Sequence, residues 1–288
     1  MDKVTVERAA ANRPHQGKVF VAVHAHLSDV PRFASGLCAK LIAEGYTGYL
    51  VRTTNDEKSG GHSAAENILS NEQEHFKMAA ALGFKDVFDL YYRNRMMEGI
   101  APLEIQSRLV LLFRMLKADT VISFHPSSAD DDETDHRATG HAAAQAALMA
   151  GLDSDFHEHF EAGIRPHRVQ ETYYLCTRST QPYNLVVDIG PQIEKKVDAL
   201  VECKSQGGGN AGSLLRARLA SEGKRLALLG NDDRTADRAY ARQFLLDEAR
   251  EYGKAHGLEY AERFYYIDER QHAPSKVDEF IQKNAVRI

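Results

Sequence analysis

Along the chain, short uninterrupted apolar runs alternate with longer stretches in which apolar residues recur every three or four positions. Val19, Phe20, Val21, Ala22 and Val23 form the first such run, the pattern of a strand buried on both faces. Over residues 32–44 the period changes. Phe33, Leu37, Cys38, Leu41 and Ile42 fall on one helical stripe, Pro31 suits a first turn, and Gly45 follows as a stop. The alternation then repeats: a strand over 49–53, a helix over 65–82 ending at Gly83, a weak strand over 86–90, and a helix over 102–117 with Ile105, Leu109, Leu112, Phe113 and Leu116 inward. A strand over 119–124 and a helix over 135–151 complete it. This order predicts an α/β fold, a mostly parallel sheet flanked by helices on both faces. No G-x-G-x-x-G follows the first strand, so the usual dinucleotide-binding turn is not supported.

Farther on, 169–177 and 184–188 read as strands, and Gly190-Pro191 opens a helix that carries Ile193, Val197, Leu200 and Val201 on one face. A loop at 205–210 precedes helices over 213–229 and 238–257, with a turn at 230–233 between them. The chain closes on Tyr260-Ala261-Glu262-Arg263-Phe264 and a short tail. Residues 1–17 carry charges throughout and no apolar core of a signal peptide, and are expected to be a flexible tail ahead of a single domain over 18–288. The 288 residues are 43% hydrophobic and 27% charged, with a net charge of −5; that excludes the basic field of a nucleic-acid or anionic-membrane binder. Cys38, Cys176 and Cys203 match no zinc or redox spacing, and no run reaches the ~18 apolar residues of a membrane span. Together these lead to the expectation of a cytoplasmic protein.

Chemistry enters where the first strand hands over to a helix, in His24-Ala25-His26-Leu27-Ser28-Asp29. Two imidazoles and a carboxylate stand there at the carboxyl edge, where open α/β sheets bind ligands. Taken alone, Asp29 or Ser28 reads equally as a helix cap and His26 as a loop histidine. A second polar cluster follows the fourth strand: His125-Pro126-Ser127-Ser128-Ala129, then Asp130-Asp131-Asp132-Glu133-Thr134-Asp135-His136. Acidic residues there also suit a solvated helix N-terminus. A parallel sheet puts both loops on one edge, so His26, Asp29 and His136 can converge. Two histidines and one carboxylate with open positions suit zinc or another divalent metal of a catalytic kind.

The motifs resemble those of the PIG-L/LmbE superfamily of metal-dependent N-acetylglucosaminide deacetylases. Ala25-His26-Leu27-Ser28-Asp29-Val30 resembles that family's A-H-P-D-D-E. Residues 54–60, Thr-Asn-Asp-Glu-Lys-Ser-Gly, resemble its T-N-G-D-K-G loop, and Ala79 to Gly83 its A-x-x-L-G helix end. Glu133-Thr134-Asp135-His136 resembles its H-P-D-H. Val187-Asp188-Ile189, Lys196, Ala199-Leu200, Ser205-Gln206 and Tyr260-Ala261-Glu262-Arg263-Phe264 resemble its later segments, with a helical insertion around 207–249. The resemblance implies a Rossmann-like fold and a hydrolase that removes an acetyl or acyl group from an N-acetylglucosamine-type conjugate. It implies His26, Asp29 and His136 as metal ligands, for Zn²⁺ or for Fe²⁺, Mn²⁺ or Co²⁺.

Departures from that pattern fall on the acid–base groups. The family's base is Ser28 here, whose hydroxyl takes no proton at neutral pH, and the first His of H-P-D-H is Glu133. Replacements within reach are Glu133 itself, His24, which points with His26 if the strand persists, and His125 at the end of the fourth strand. His24 and His125 read equally as core histidines. Asp135 keeps its family position and is expected to orient His136. Asn55, Lys58, Arg93 and Asn94 are the expected substrate contacts. An altered first motif also resembles the 4-oxalomesaconate hydratase branch, in which the same cage hydrates an unsaturated dicarboxylate; Lys58, Arg93 or Arg95 then supply positive charge. A non-catalytic sugar-binding relative is the third reading. The expected partner is a small amino-sugar or carboxylate substrate, with no nucleic acid or membrane, and a homo-oligomer is left open.

Overall fold

Eight strands make one sheet: β1 (Thr5–Glu7), β2 (Val19–His24), β3 (Thr47–Thr54), β4 (Asp86–Tyr92), β5 (Thr120–Phe124), β6 (Glu171–Leu175), β7 (Leu185–Asp188) and β8 (Ala261–Asp268), in the order β1-β7-β8-β6-β5-β2-β3-β4. The computed structural model describes residues 4–127, 130–270 and 276–285. Among the described residues, only β8 runs antiparallel to its neighbours, β6 and β7; the remaining pairings are parallel.

Alternation along β2 sends Phe20 and Ala22 to one face and Val21 and Val23 to the other. The first face is covered by Leu37 and Leu41 of α2 (Ser35–Ala43), Met78 and Leu82 of α3 (Ala64–Leu82) and Ala199 of α7 (Ile193–Glu202). The second is covered by Leu109 and Phe113 of α4 (Pro102–Leu116) and Ala142 and Ala146 of α5 (Thr134–Ala150). Local signals bound these helices as expected. Ser63 and Glu66 form a reciprocal cap at the start of α3, and Gly83 ends it at φ 94°, a left-handed conformation glycine adopts without penalty. Strand order reverses between β2 and β5, so a crevice opens at their carboxyl ends.

Several expectations are corrected. Thr5–Glu7 lies in the segment expected to be loose, yet pairs with Leu185, Val186 and Val187 of β7. Glu44 ties that segment further, accepting from the backbone N–H of Ala10 at 2.6 Å and lying 3.6 Å from His15. The single helix expected over 32–44 is two, α1 (Asp29–Phe33) and α2, broken at Ala34. A buried ion pair fills the break. Lys196 Nζ donates to the carbonyls of Pro31 and Arg32 at 3.0 and 2.8 Å, and Glu262 accepts from the N–H groups of Gly36 and Leu37 at 2.9 and 2.8 Å. Glu262 therefore caps α2 from a distant strand, which local sequence does not reveal.

The helix expected over 213–229 is α8 (Ala211–Ser221) with a 3₁₀ turn at Ala227–Leu229, and that over 238–257 is α9 (Asp233–Phe244) and α10 (Asp247–Ala255). Leu245 and Leu246 break the second run because both pack on the apolar face of α7 at Val197, Leu200 and Val201. β8 continues past Phe264 to Asp268, and the expected short tail contains α11 (Lys276–Asn284). A four-residue helix at Glu158–Glu161 (α6) sits between α5 and β6. Among the described residues, no helix is long and apolar enough to cross a membrane.

Candidate metal centre

β2 ends at His24, and the next residues turn into α1, so His26 lies in the turn and Asp29 is the first residue of a helix. β5 delivers the chain to the loop before α5, where Asp135 and His136 occupy the first turn. The two segments are neighbours because β2 pairs with β5, and the three expected ligands come together. His26 Nδ1 and His136 Nε2 are 3.3 Å apart, His136 Nε2 and Asp29 Oδ1 3.2 Å, and His26 Nδ1 and Asp29 Oδ2 3.8 Å. All three residues are buried, and the ring of Phe124 stacks on His136 with centroids 4.1 Å apart.

Each imidazole is held from behind by a carboxylate. Asp135 Oδ2 lies 3.2 Å from His26 Nε2, and Asp131 Oδ2 lies 2.8 Å from His136 Nδ1. With those nitrogens donating, neutral rings turn two lone pairs on each other across 3.3 Å, beside a third acceptor on Asp29. A cation between them removes the conflict. Ligand atoms of a tetrahedral ion bonded at about 2.0–2.2 Å sit roughly 3.3–3.6 Å from one another, close to the spacing here. The donor set and its separations therefore fit a divalent metal. Without one, a proton takes its place: burial opposes charge on His136, but the carboxylates of Asp29 and Asp131 outweigh it and raise its pKa to about 10. Burial likewise opposes charge on His26, and the bond to Asp135 and the charge of Asp29 still raise its pKa. Asp29 is held well below the carboxylate range against its burial, chiefly by His136 and then His26. Its Oδ2 also accepts from the N–H groups of Ala25 and His26 at 3.1 and 2.6 Å.

The other expected site residues divide. Glu133 is half-buried at the N-cap of α5 and offers a carboxylate oxygen within 4.8 Å of ligand atoms on His26 and Asp135. Asp135 was expected behind His136 and instead backs His26; its oxygens also accept from the N–H groups of Arg95 and Met97 at 2.5 and 3.3 Å. His24 was expected to share the side of His26, but it is fully buried with both ring nitrogens engaged, Nδ1 on the carbonyl of His26 at 2.7 Å and Nε2 on His75 at 3.0 Å. Burial, then the neighbouring His75, push its pKa down to about 3. His125 lines a separate cavity of about 120 Å³ with Leu175 and Cys176, its ring against Tyr174 and Tyr265.

Asn94 donates to Asp135 at 3.3 Å, and Asn55 accepts from the N–H of Asn94 at 3.3 Å, so both asparagines lie behind Asp135. Lys58 and Arg93 are exposed, and Arg93 is engaged by Glu57 at 2.9 Å.

Asp131 is the residue the pattern missed. Besides His136 it accepts from Thr177 Oγ1 at 2.6 Å and from the N–H of Glu133 at 3.1 Å, and its pKa falls to about 2 because these bonds outweigh its burial. Its signal was its place five residues before His136, hidden in a run of four acids. Ser28 is engaged by its neighbour, its Oγ donating to Gln206 at 3.4 Å. Both line a cleft of about 420 Å³ whose walls include Phe33, Leu200, Phe244, Leu245, Tyr252 and Arg263.

Known proteins share this fold. Residues 21–147 match the family model described as PIG-L, GlcNAc-PI de-N-acetylase. Among solved structures, N,N'-diacetylchitobiose deacetylase from Pyrococcus horikoshii is 21% identical with a TM-score of 0.69, over 92% of this chain and 89% of that one. The 4-carboxy-2-hydroxymuconate hydratase from Pseudomonas putida KT2440 is 18% identical with a TM-score of 0.63, over 89% and 98%. A teicoplanin deacetylase solved in a zinc-inhibited form is 13% identical with a TM-score of 0.53, over 88% and 100%. At these identities the likeness is one of fold. No curated protein sequence matches the chain.

Proposed function

Residues 21–147 of this chain are a PIG-L family domain, and from that premise we propose a metal-dependent deacetylase acting on an N-acylated amino-sugar conjugate. The observation that carries the reading is the convergence of His26 Nδ1, His136 Nε2 and the Asp29 carboxylate, each imidazole backed by its own carboxylate. These three residues hold the ion. Zinc leads, with Fe²⁺, Mn²⁺ and Co²⁺ also suited to two imidazoles and a carboxylate. When bound, such an ion supplies Lewis-acid polarisation of an amide carbonyl and acidifies water.

The chain's own groups do the rest. Asp135 and Asp131 fix the tautomers of the two histidines, so the same nitrogens always face inward. Glu133 is the half-buried carboxylate whose oxygen lies within 4.8 Å of ligand atoms on His26 and Asp135. It takes the proton from the attacking water and returns it to the departing amine, the two transfers an amide hydrolase needs. Ser28, where the family's base stands, offers a hydroxyl in place of a carboxylate. The cleft beside Ser28 receives the part of the conjugate beyond the sugar, and α9 and α10 give it a partly aromatic wall through Phe244 and Tyr252.

The missing base favours one rival, a hydratase acting on an unsaturated carboxylate. One experiment separates the two. Metal-loaded protein is offered N-acetylglucosaminides and, in parallel, unsaturated dicarboxylates. Acetate release that disappears in His136→Ala supports the deacetylase. Loss of enoate absorbance without acetate release supports the hydratase, and metal binding with neither reaction leaves a non-catalytic sugar-binding protein.

A further inference from the structure

The peptide group joining His26 to Leu27 is gripped at both of its polar ends. Its carbonyl accepts from His24 Nδ1 at 2.7 Å, and its N–H donates to Asp56 Oδ2 at 3.0 Å. The two gripping side chains are themselves joined by a path that avoids the metal cage. His24 Nε2 lies 3.0 Å from His75 Nε2, and His75 Nδ1, which makes no hydrogen bond of its own, lies 3.2 Å from Asp89 Oδ1. Arg52 then spans two carboxylates, with Nε on Asp89 at 2.9 Å and Nη1 on Asp56 at 3.0 Å. The circuit leaves one end of a single peptide group and returns to the other. Its members come from the end of β2, from within β3 and β4, from the loop after β3, and from α3, and all five side chains are buried.

We propose that this circuit is a positioning device for the metal centre, and that His75, Asp89 and Arg52 orient His26 without touching it. The inference rests on His26 being a metal ligand. Burying five ionisable side chains is a poor way to stabilise a sheet, because desolvation offsets what the ion pairs return and an apolar cluster of the same volume does as well. What the circuit provides instead is direction. Rotating the His26–Leu27 peptide strips a buried carbonyl and a buried N–H of their partners at once, so the plane has one favourable setting. That plane sets where the His26 side chain leaves the backbone, and hence whether Nδ1 faces His136 and Asp29. The imidazole is held from its far side by Asp135, so backbone and ring are each fixed by a separate carboxylate.

The test is zinc affinity of the full chain, by competition with a chromophoric chelator, for wild type, His75→Phe and Asp89→Asn. Tyr46→Phe is the control, since Tyr46 is also buried and hydrogen-bonded, donating to Glu171 at 3.0 Å, but has no part in the circuit. His75→Phe and Asp89→Asn are each expected to weaken zinc about tenfold, the lower end of what losing a ligand's direct partner costs. The double variant is expected to lose no more than the worse single one, because the circuit acts as a unit. Visible bands of the Co²⁺-loaded variants should shift, while Tyr46→Phe lowers the melting temperature and leaves affinity and spectrum unchanged. Wild-type affinity and spectrum in both circuit variants overturn the proposal. A wild type that binds neither zinc nor cobalt overturns the metal centre itself, a failure visible before any variant is made.

Discussion

Two carboxylates, one behind each histidine, set what the centre can bind. Asp131→Asn keeps the size of the side chain that holds His136 Nδ1 but removes its charge. It is expected to weaken zinc about 10–100-fold, read by the same chelator competition. The convergence of His26, Asp29 and His136 was legible because imidazole and carboxylate in that order after a strand have few other uses once two such loops share an edge. Asp131 was not, because a run of acids at a helix N-terminus serves equally well as a solvated face, and five residues across a cap match no helical period. His24 misled for a related reason. Alternation along a strand ends with the strand, and the turn at Ala25 carries His24 to His75 instead of to the cage. Ser28→Asp restores a carboxylate at the family's base position. If its scaffold is intact, deacetylation should rise, up to ~10²-fold for one acid–base group, measured as acetate release at saturating metal. No gain with metal still bound points to chemistry other than amide hydrolysis; in a deacetylase that runs both transfers through Glu133, Glu133→Gln should lose a similar factor.

Elements up to α5 could be read from periodicity largely because three of the helices carry their own stop: Gly45, Gly83 and Gly151 follow α2, α3 and α5. Beyond Gly207 the helices are ended by tertiary contacts. Leu245 and Leu246 turn inward to α7 where a helical stripe would have continued. Arg114 shows the same principle on the opposite face. It is buried, and its guanidinium donates to the carbonyls of Met149, Ala150, Leu152 and Asp155 at 3.1, 3.1, 2.7 and 3.0 Å. One side chain of α4 thus closes the C-terminal end of α5, a helix whose other end carries His136, the proposed metal ligand. Arg114→Met keeps much of the apolar stem and strands those carbonyls. The expected loss is about 3 kcal/mol of stability by urea denaturation, since each buried group left unpaired costs roughly 1–3 kcal/mol. Metal affinity should hold while the protein is folded. A loss below about 1 kcal/mol would mean that water serves those carbonyls as well as the guanidinium does.

At the scale of the whole molecule, the metal centre and the buried histidines give stability a pH dependence of opposite sign on the two sides of neutrality. His136 has a folded pKa near 10, above the ordinary histidine value, because Asp29 and Asp131 face it. Its protonation therefore stabilises the metal-free fold, fully below about pH 6.5, and that contribution is lost as pH rises toward 10. His24 has a folded pKa near 3, depressed by burial and by His75. The unfolded chain takes up that proton more readily, so its contribution is present above about pH 6.5 and is lost as pH falls toward 3. Metal-free protein should then melt highest near pH 6–7 and lose several degrees toward both pH 4 and pH 10. A bound ion takes the place of the proton on His136, so the metal-loaded protein should keep its melting temperature through pH 10. On the acid side it should fall more steeply, because protons compete with the ion for both imidazoles. Calorimetric scans across that range, with chelator and with zinc, give the two curves. If they run parallel from pH 7 to 10, the positive charge that His136 accepts between Asp29 and Asp131 is not the one the metal replaces, and the cage would have to be assigned to other atoms.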